Sequence, residues 1–134
     1  MNRFEDSLAL LGRIALAAIF VWSGFGKISG FSGTAAYIAS KGLPFAEVLT
    51  ALTIFIEFAL GLAIVIGFKA RIAALLIALW LIPTTLLFHN FWSVPAEEAM
   101  MQQINFMKNV SIFGGMLILM AFGPGRYSVD GGRG

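Results

Sequence analysis

Apolar residues fall in four long runs, at residues 8–28, 46–67, 70–89 and 104–122. Each is close to the roughly 20 residues that a hydrocarbon core of about 30 Å demands of a spanning helix. A soluble bundle would need polar faces on its outer helices, and residues 70–82 offer none beyond Arg71 at the edge. The pattern predicts an all-α membrane protein, a four-transmembrane-helix bundle forming a single domain over residues 1–134.

The connections refine this picture. Between the first two runs, Ser32 is placed to cap a short helix through Tyr37 and Ile38 that stops at Gly42 and Pro44, an interfacial helix lying flat on the membrane. Residues 68–71 form a tight turn that makes the second and third spans antiparallel neighbours, and residues 90–103 form a longer loop with Pro95 starting the last helix. Gly123-Pro124-Gly125 ends the fourth span and leaves a polar, glycine-rich tail. Glu5 and Asp6 ahead of the first run, and Arg13 within it, do not suit a cleavable signal, so the first run is expected to stay as a helix. Pro83 should bend the third span and free backbone groups for Thr84 or Thr85. Small residues at Gly24, Gly61 and Gly114-Gly115 permit close helix packing.

Cations set the orientation. Arg3, Lys69, Arg71, Arg126 and Arg133 fall on the side of the termini, against Lys27 and Lys41 on the other, where Glu97 and Glu98 also lie. By the positive-inside rule both termini are expected in the cytoplasm. Trp22 and Trp92 then sit toward the outer interface, while Trp80 falls near mid-membrane and reads as packing.

Composition agrees with lipid as the main partner: 59% hydrophobic residues stand against 12% charged ones. The net charge of +2 is carried by scattered residues rather than a basic stripe, which excludes a nucleic-acid footprint. With no cysteine, thiol catalysis, thiolate metal sites and dithiol relays drop out. A lone histidine rules out bis-histidine haem ligation, and with no carboxylate cluster no metal site is expected within one chain.

The few polar residues inside the spans carry the candidate chemistry. Arg13, Ala17, Phe20, Gly24 and Lys27 share one stripe of the first helix; Thr50, Thr53, Glu57 and Gly61 share a face of the second; Asn105, Lys108 and Ile112 share one of the fourth, with Asn109 beside them. Counting 1.5 Å per residue from inner boundaries at Leu8, Gly67 and Phe122 puts Arg13 about 8 Å deep, Glu57 about 15 Å and Lys108 about 21 Å, with Lys27 and His89 near the outer surface. An unpaired charge at the bilayer centre costs at least about 2.5 to 3.5 kcal/mol on insertion scales, so an internal Arg13, Glu57, Lys108 network is expected. Such a network either fixes helix register or forms a pocket for an anionic or quinone-like head group, with Arg13, Lys27, Lys108, Asn105 and Asn109 as the ligand-binding groups. Glu57 and His89 are the candidates for moving protons, although an interfacial histidine is the plainer reading of His89.

Taken in order, Arg13 with Ser23-Gly24-Phe25-Gly26-Lys27-Ile28, then Glu57 with Gly61 and Gly67, Phe88-His89-Asn90-Phe91, Asn105-Phe106-Met107-Lys108-Asn109, and the closing Gly123-Pro124-Gly125-Arg126-Tyr127-Ser128-Val129-Asp130 form a pattern. It resembles the DoxX family of small four-span bacterial membrane proteins from Leu11 to Asp130. The resemblance implies redox work near the quinone pool, since family members are linked to a thiosulfate:quinone oxidoreductase, to oxidative-stress defence and to aromatic or quinone metabolism. It also implies that Arg13, Glu57, His89 and Lys108 occupy positions the family would use.

Three functions follow for comparison. The first is a membrane component of a quinone-linked oxidoreductase or detoxification system. In it the cations polarise ring oxygens, and a bound cofactor or a redox partner protein supplies the electrons, because the chain has no evident redox centre of its own. The second is a non-catalytic scaffold or assembly partner for other membrane proteins, its ion network being structural. A small proton-coupled transporter of drug cations is the third, and there the neighbouring cations count against a cationic substrate.

Overall fold

The computed structural model describes residues 2–131, so Arg133, one of the cations counted toward orientation, lies outside the described residues. The described chain is helical: α1 (Arg3–Ser29), α2 (Phe31–Ser40), α3 (Ala46–Ile54), α4 (Leu60–Ile66), α5 (Ala70–Phe88) and α6 (Ala96–Phe122). A π-helical turn, Phe55–Ala59, joins α3 to α4 into one rod, and a 3-10 turn, Phe91–Ser93, precedes α6. Four of these units are long and apolar enough to cross a membrane: α1, the α3–α4 rod, α5 and α6.

Polarity is arranged inside out. Leu11, Ile14, Trp22, Leu52, Leu79 and Ile118 are exposed, whereas Asp6, Arg13, Glu57, Thr85 and Asn109 are buried. Lipid favours that arrangement, since outward apolar side chains cost nothing there and ionisable groups must find partners inside. The buried core is made largely of small side chains, Ala17, Ala70, Ala73, Ala74 and Ala78 together with Ile64, Ile77 and Met116. Small residues let helix backbones approach, which is where membrane helices gain packing energy.

α1 lies along the α3–α4 rod and α6 along α5; α4 against α5 is the main link between the two pairs, while α1 only brushes α6. Four antiparallel spans return both termini to one end of the bundle, here called the terminal end. At the opposite end α2 folds back on α3, and the Tyr37 ring on α2 meets Phe88 on α5 with centroids 5.6 Å apart.

Several helix ends differ from the sequence expectation. α1 starts at Arg3, because Asn2 and Glu5 form a reciprocal capping box with both bonds at 2.9 Å. Ser32 does not cap α2; the chain re-enters the helix at Phe31 after a break at Gly30, and Ser32 sits inside the first turn. Most of the expected loop at 90–103 is helical, with Pro95 at the N-cap position of α6. Glu97 and Glu98 in its first turn complement the positive end of the helix dipole, and their polarity kept those residues out of the apolar count. α5 runs through Pro83, and the Thr85 hydroxyl accepts a bond from Asn109 Nδ2 at 3.0 Å instead of satisfying freed backbone.

Helix ends at the terminal end are capped by side chains from far along the chain. Gly67 adopts φ +73°, and with Phe68 it closes α4 through bonds to Ile64 O (3.1 Å) and Ala63 O (2.8 Å). A Cβ at Gly67 would also lie 2.2 Å from Ser128 Cβ, so the tail packs directly on this turn. The carbonyls of Ile66 and Gly67 accept bonds from Val129 N (3.0 Å) and Asp130 N (2.9 Å). The Asp130 carboxylate in turn accepts from Lys69 N at 2.8 Å and Ala70 N at 2.9 Å, two of the orphan donors that open α5. Arg71 reaches across to the Met120 and Ala121 carbonyls at the end of α6.

Candidate functional site

The expected three-membered network is absent. Arg13 is buried on α1, but its guanidinium donates to Val65 O (3.0 and 3.3 Å), Tyr127 O (2.9 Å) and Pro124 O (2.5 Å). All three acceptors are backbone carbonyls at the terminal end. From Val65 to Glu57 the helical rise alone is roughly 12 Å, beyond the reach of one side chain. The depth estimate failed because α1 starts well before Leu8 and its register against the second span is set by packing, not by the ends of the apolar runs. Arg13 is a helix-end cap that ties the tail to α4.

Glu57 pairs instead with Lys27, whose Nζ donates to Glu57 Oε1 at 2.8 Å and to Ser23 Oγ at 2.7 Å. Local structure puts the pair together. Gly24 lies where α1 crosses the π-helical turn, so closely that an added Cβ would stand 2.7 Å from Phe58 N and 3.0 Å from Glu57 Cβ. Lys27, one turn beyond Gly24 on the same face, then comes down over the carboxylate. Ser23, four residues before Lys27, supplies a second acceptor; that i, i+4 spacing was the available signal for it. The π-turn places the buried Glu57 at the widened part of the helix, a distortion often found at functional positions.

Gly24→Ala is therefore expected to force the two helices apart, at a cost of about 1 to 3 kcal/mol from overpacking. Detergent-unfolding curves would measure it, and a midpoint equal to wild type would rule out the close approach.

A cavity of about 510 Å³ opens beside this pair. α1, α2, the second span, α5 and α6 all contribute to its wall, which is mainly apolar, with Phe20, Trp80, Leu81 and Ile112 among the lining groups. Trp80 packs against the apolar core, as expected, and also borders this cavity. Of the residues singled out from sequence, Lys27, Glu57, His89, Lys108 and Asn109 share this one cavity; Arg13 and Asn105 do not line it. Asn109 is held by its bond to Thr85. His89 Nδ1 lies 2.8 Å from Gln102 Oε1, a partner made reachable by the extra helical turns of α6. Sequence reading overlooked Ser23, Gln102 and Thr84 as site residues, and Thr84 also lines the wall.

The chemistry on offer is that of an amphiphile-binding site. Its volume falls within the range of roughly 300 to 1,000 Å³ typical of small-molecule pockets. Its polar groups, an ammonium–carboxylate pair, a second ammonium, an amide and an imidazole, can donate to ring or carboxyl oxygens and exchange protons with them.

The model of the DoxX family matches residues 8–90, more than half of the chain and all but the last span. The chain belongs to the DoxX family. Among its relatives, inner membrane protein YqjF of Escherichia coli (strain K12) is 39% identical over 130 residues, covering 97% of this chain and 95% of that protein. Inner membrane protein YphA of the same organism is 37% identical over 123 residues, covering 92% and 88%. A 69-residue stretch is 41% identical to a Surfeit locus protein 4 homolog of Schizosaccharomyces pombe, covering 50% of this chain and 23% of that longer protein. No solved structure matches. This DoxX-family chain is thus an integral, multi-pass inner-membrane protein, and its cavity is a feature of that membrane domain.

Proposed function

We propose that this DoxX-family protein binds a quinone or quinol from the membrane in the cavity beside Glu57, as the membrane component of a quinone-linked redox or detoxification system. The observation that carries the reading is the juxtaposition of the Lys27–Glu57 ion pair with an apolar space of about 510 Å³ reached by Trp80, Lys108 and His89. A quinone needs an apolar slot for its rings and donors for its oxygens, and both are present. Lys27 and Lys108 would polarise ring oxygens, and the Glu57 carboxylate would hold the proton that a quinol releases. Electrons would pass to a redox partner that docks on the membrane domain.

Trp80 offers a direct test. Titration of the purified protein with a short-chain ubiquinone analogue is expected to quench its fluorescence saturably, with the effect lost in Trp80→Phe and weakened at least about tenfold in Glu57→Gln, a change of about 1.4 kcal/mol. Linear, non-saturating quenching identical in wild type and Glu57→Gln would sink the proposal.

The cation bias supports a topology with both termini in the cytoplasm. A green fluorescent protein fused to the C-terminus should then fluoresce and alkaline phosphatase at the same point should stay inactive; the reverse pair of results would invert the topology.

A further inference from the structure

The Lys27–Glu57 pair balances its own charge, and Lys108 remains. Lys108 stands near the middle of the 27-residue α6, lines the cavity, and has no acidic partner among the described residues. Lys108 is an exposed residue rather than one packed into the core. A lone ammonium at that depth in a spanning helix costs about 2.5 to 3.5 kcal/mol on insertion scales, and no acidic group among the described residues pairs with it. His89, also on the cavity wall, brings no negative charge to it. Nor does the neighbouring polar group help, because the Asn109 amide donates to Thr85 and is neutral.

We infer that the ligand supplies the missing charge: Lys108 makes the cavity selective for an amphiphile that carries an ionised acidic oxygen, such as an enolate, phenolate or carboxylate on an aromatic body. This deepens the quinone reading and rests on it for the choice of cavity. Its content is separate, since a neutral quinone asks only for donors whereas an anion is recognised by the one cation without an internal counter-charge. In a poorly solvated site an ammonium and an ionised oxygen at contact distance attract far more strongly than in water. A neutral ligand there leaves Lys108 still unpaired.

The test compares matched probes in nanodiscs of zwitterionic lipid by equilibrium dialysis. One pair is lawsone, a hydroxynaphthoquinone ionised at neutral pH, and its neutral methyl ether; the other is hydroxynaphthoate and its methyl ester. Wild type should bind each anion at least about tenfold more tightly than its neutral partner, about 1.4 kcal/mol. Lys108→Gln should reduce that ratio to near one, whatever it does to the affinity for the neutral ether, and Lys108→Arg should restore it. An unfolding midpoint in detergent close to that of wild type shows that Lys108→Gln is folded.

Equal binding of lawsone and its ether by wild type overturns the inference and leaves the quinone reading standing. So does a preference that persists in Lys108→Gln. Binding of the naphthoate pair alone, with the expected ratio, upholds the inference and removes quinones as the ligand; no binding of any probe removes both. Added phosphatidylglycerol that displaces lawsone from wild type identifies a lipid phosphate as one source of the anion, and failure to displace it assigns the site to small organic acids.

Discussion

Lys27→Met is expected to destabilise the protein by about 3 kcal/mol or more, because it removes the cation that pairs with the buried Glu57 carboxylate. Removing one member of a buried ion pair typically costs about 3 to 5 kcal/mol, most of it the burden of the charge left behind. Replacing both members tells the two contributions apart. Lys27→Met with Glu57→Leu should recover most of the loss, since an apolar pair of similar size carries no desolvation cost. Glu57→Gln keeps an amide oxygen near Lys27 Nζ and should cost less, about 1 kcal/mol, as expected for a weakened hydrogen bond. Equilibrium unfolding by sodium dodecyl sulfate in mixed micelles measures all three. Additive effects in the double variant would show that the pair is uncoupled and that Glu57 is stabilised by something else.

The spans were legible in the sequence because lipid imposes a strict length and polarity on each of them. Glu57, Lys108 and Asn109 stood out for the same reason, and they do border one cavity. The pairing was not legible. Depth counted from the ends of apolar runs placed Arg13 near Glu57 and Lys27 at the surface, whereas the contact of Gly24 with Phe58 sets the register between α1 and the second span. Arg13 was misplaced for a further reason: its partners are the carbonyls of Val65, Pro124 and Tyr127, and backbone carbonyls leave no mark in the sequence. Asp130 was hidden in a similar way, because the partners of its carboxylate are the backbone N–H groups of Lys69 and Ala70, the latter 60 residues away. The π-turn at Phe55–Ala59, which carries Glu57, has no breaker such as proline or glycine within it and arises from packing.

Arg13→Gln should unfasten the tail. Three carbonyls would lose an ionised donor inside the bundle, and each buried acceptor left unsatisfied costs about 1 to 3 kcal/mol, so a loss of about 3 kcal/mol or more is expected. Arg13→Lys should recover only part of it, because a single ammonium does not reproduce the planar fork that grips Val65 O through both Nε and Nη2 while reaching Tyr127 and Pro124. A local reading separates this from general destabilisation. The amides of Val129 and Asp130, bonded to the Ile66 and Gly67 carbonyls, should lose protection from hydrogen exchange in Arg13→Gln while amides at the centre of α5 keep theirs. Ligand binding in the cavity should survive in the fraction that remains folded, because Arg13 is not part of its wall. Loss of binding with the Val129 and Asp130 amides still protected would return Arg13 to the site from which the structure separates it.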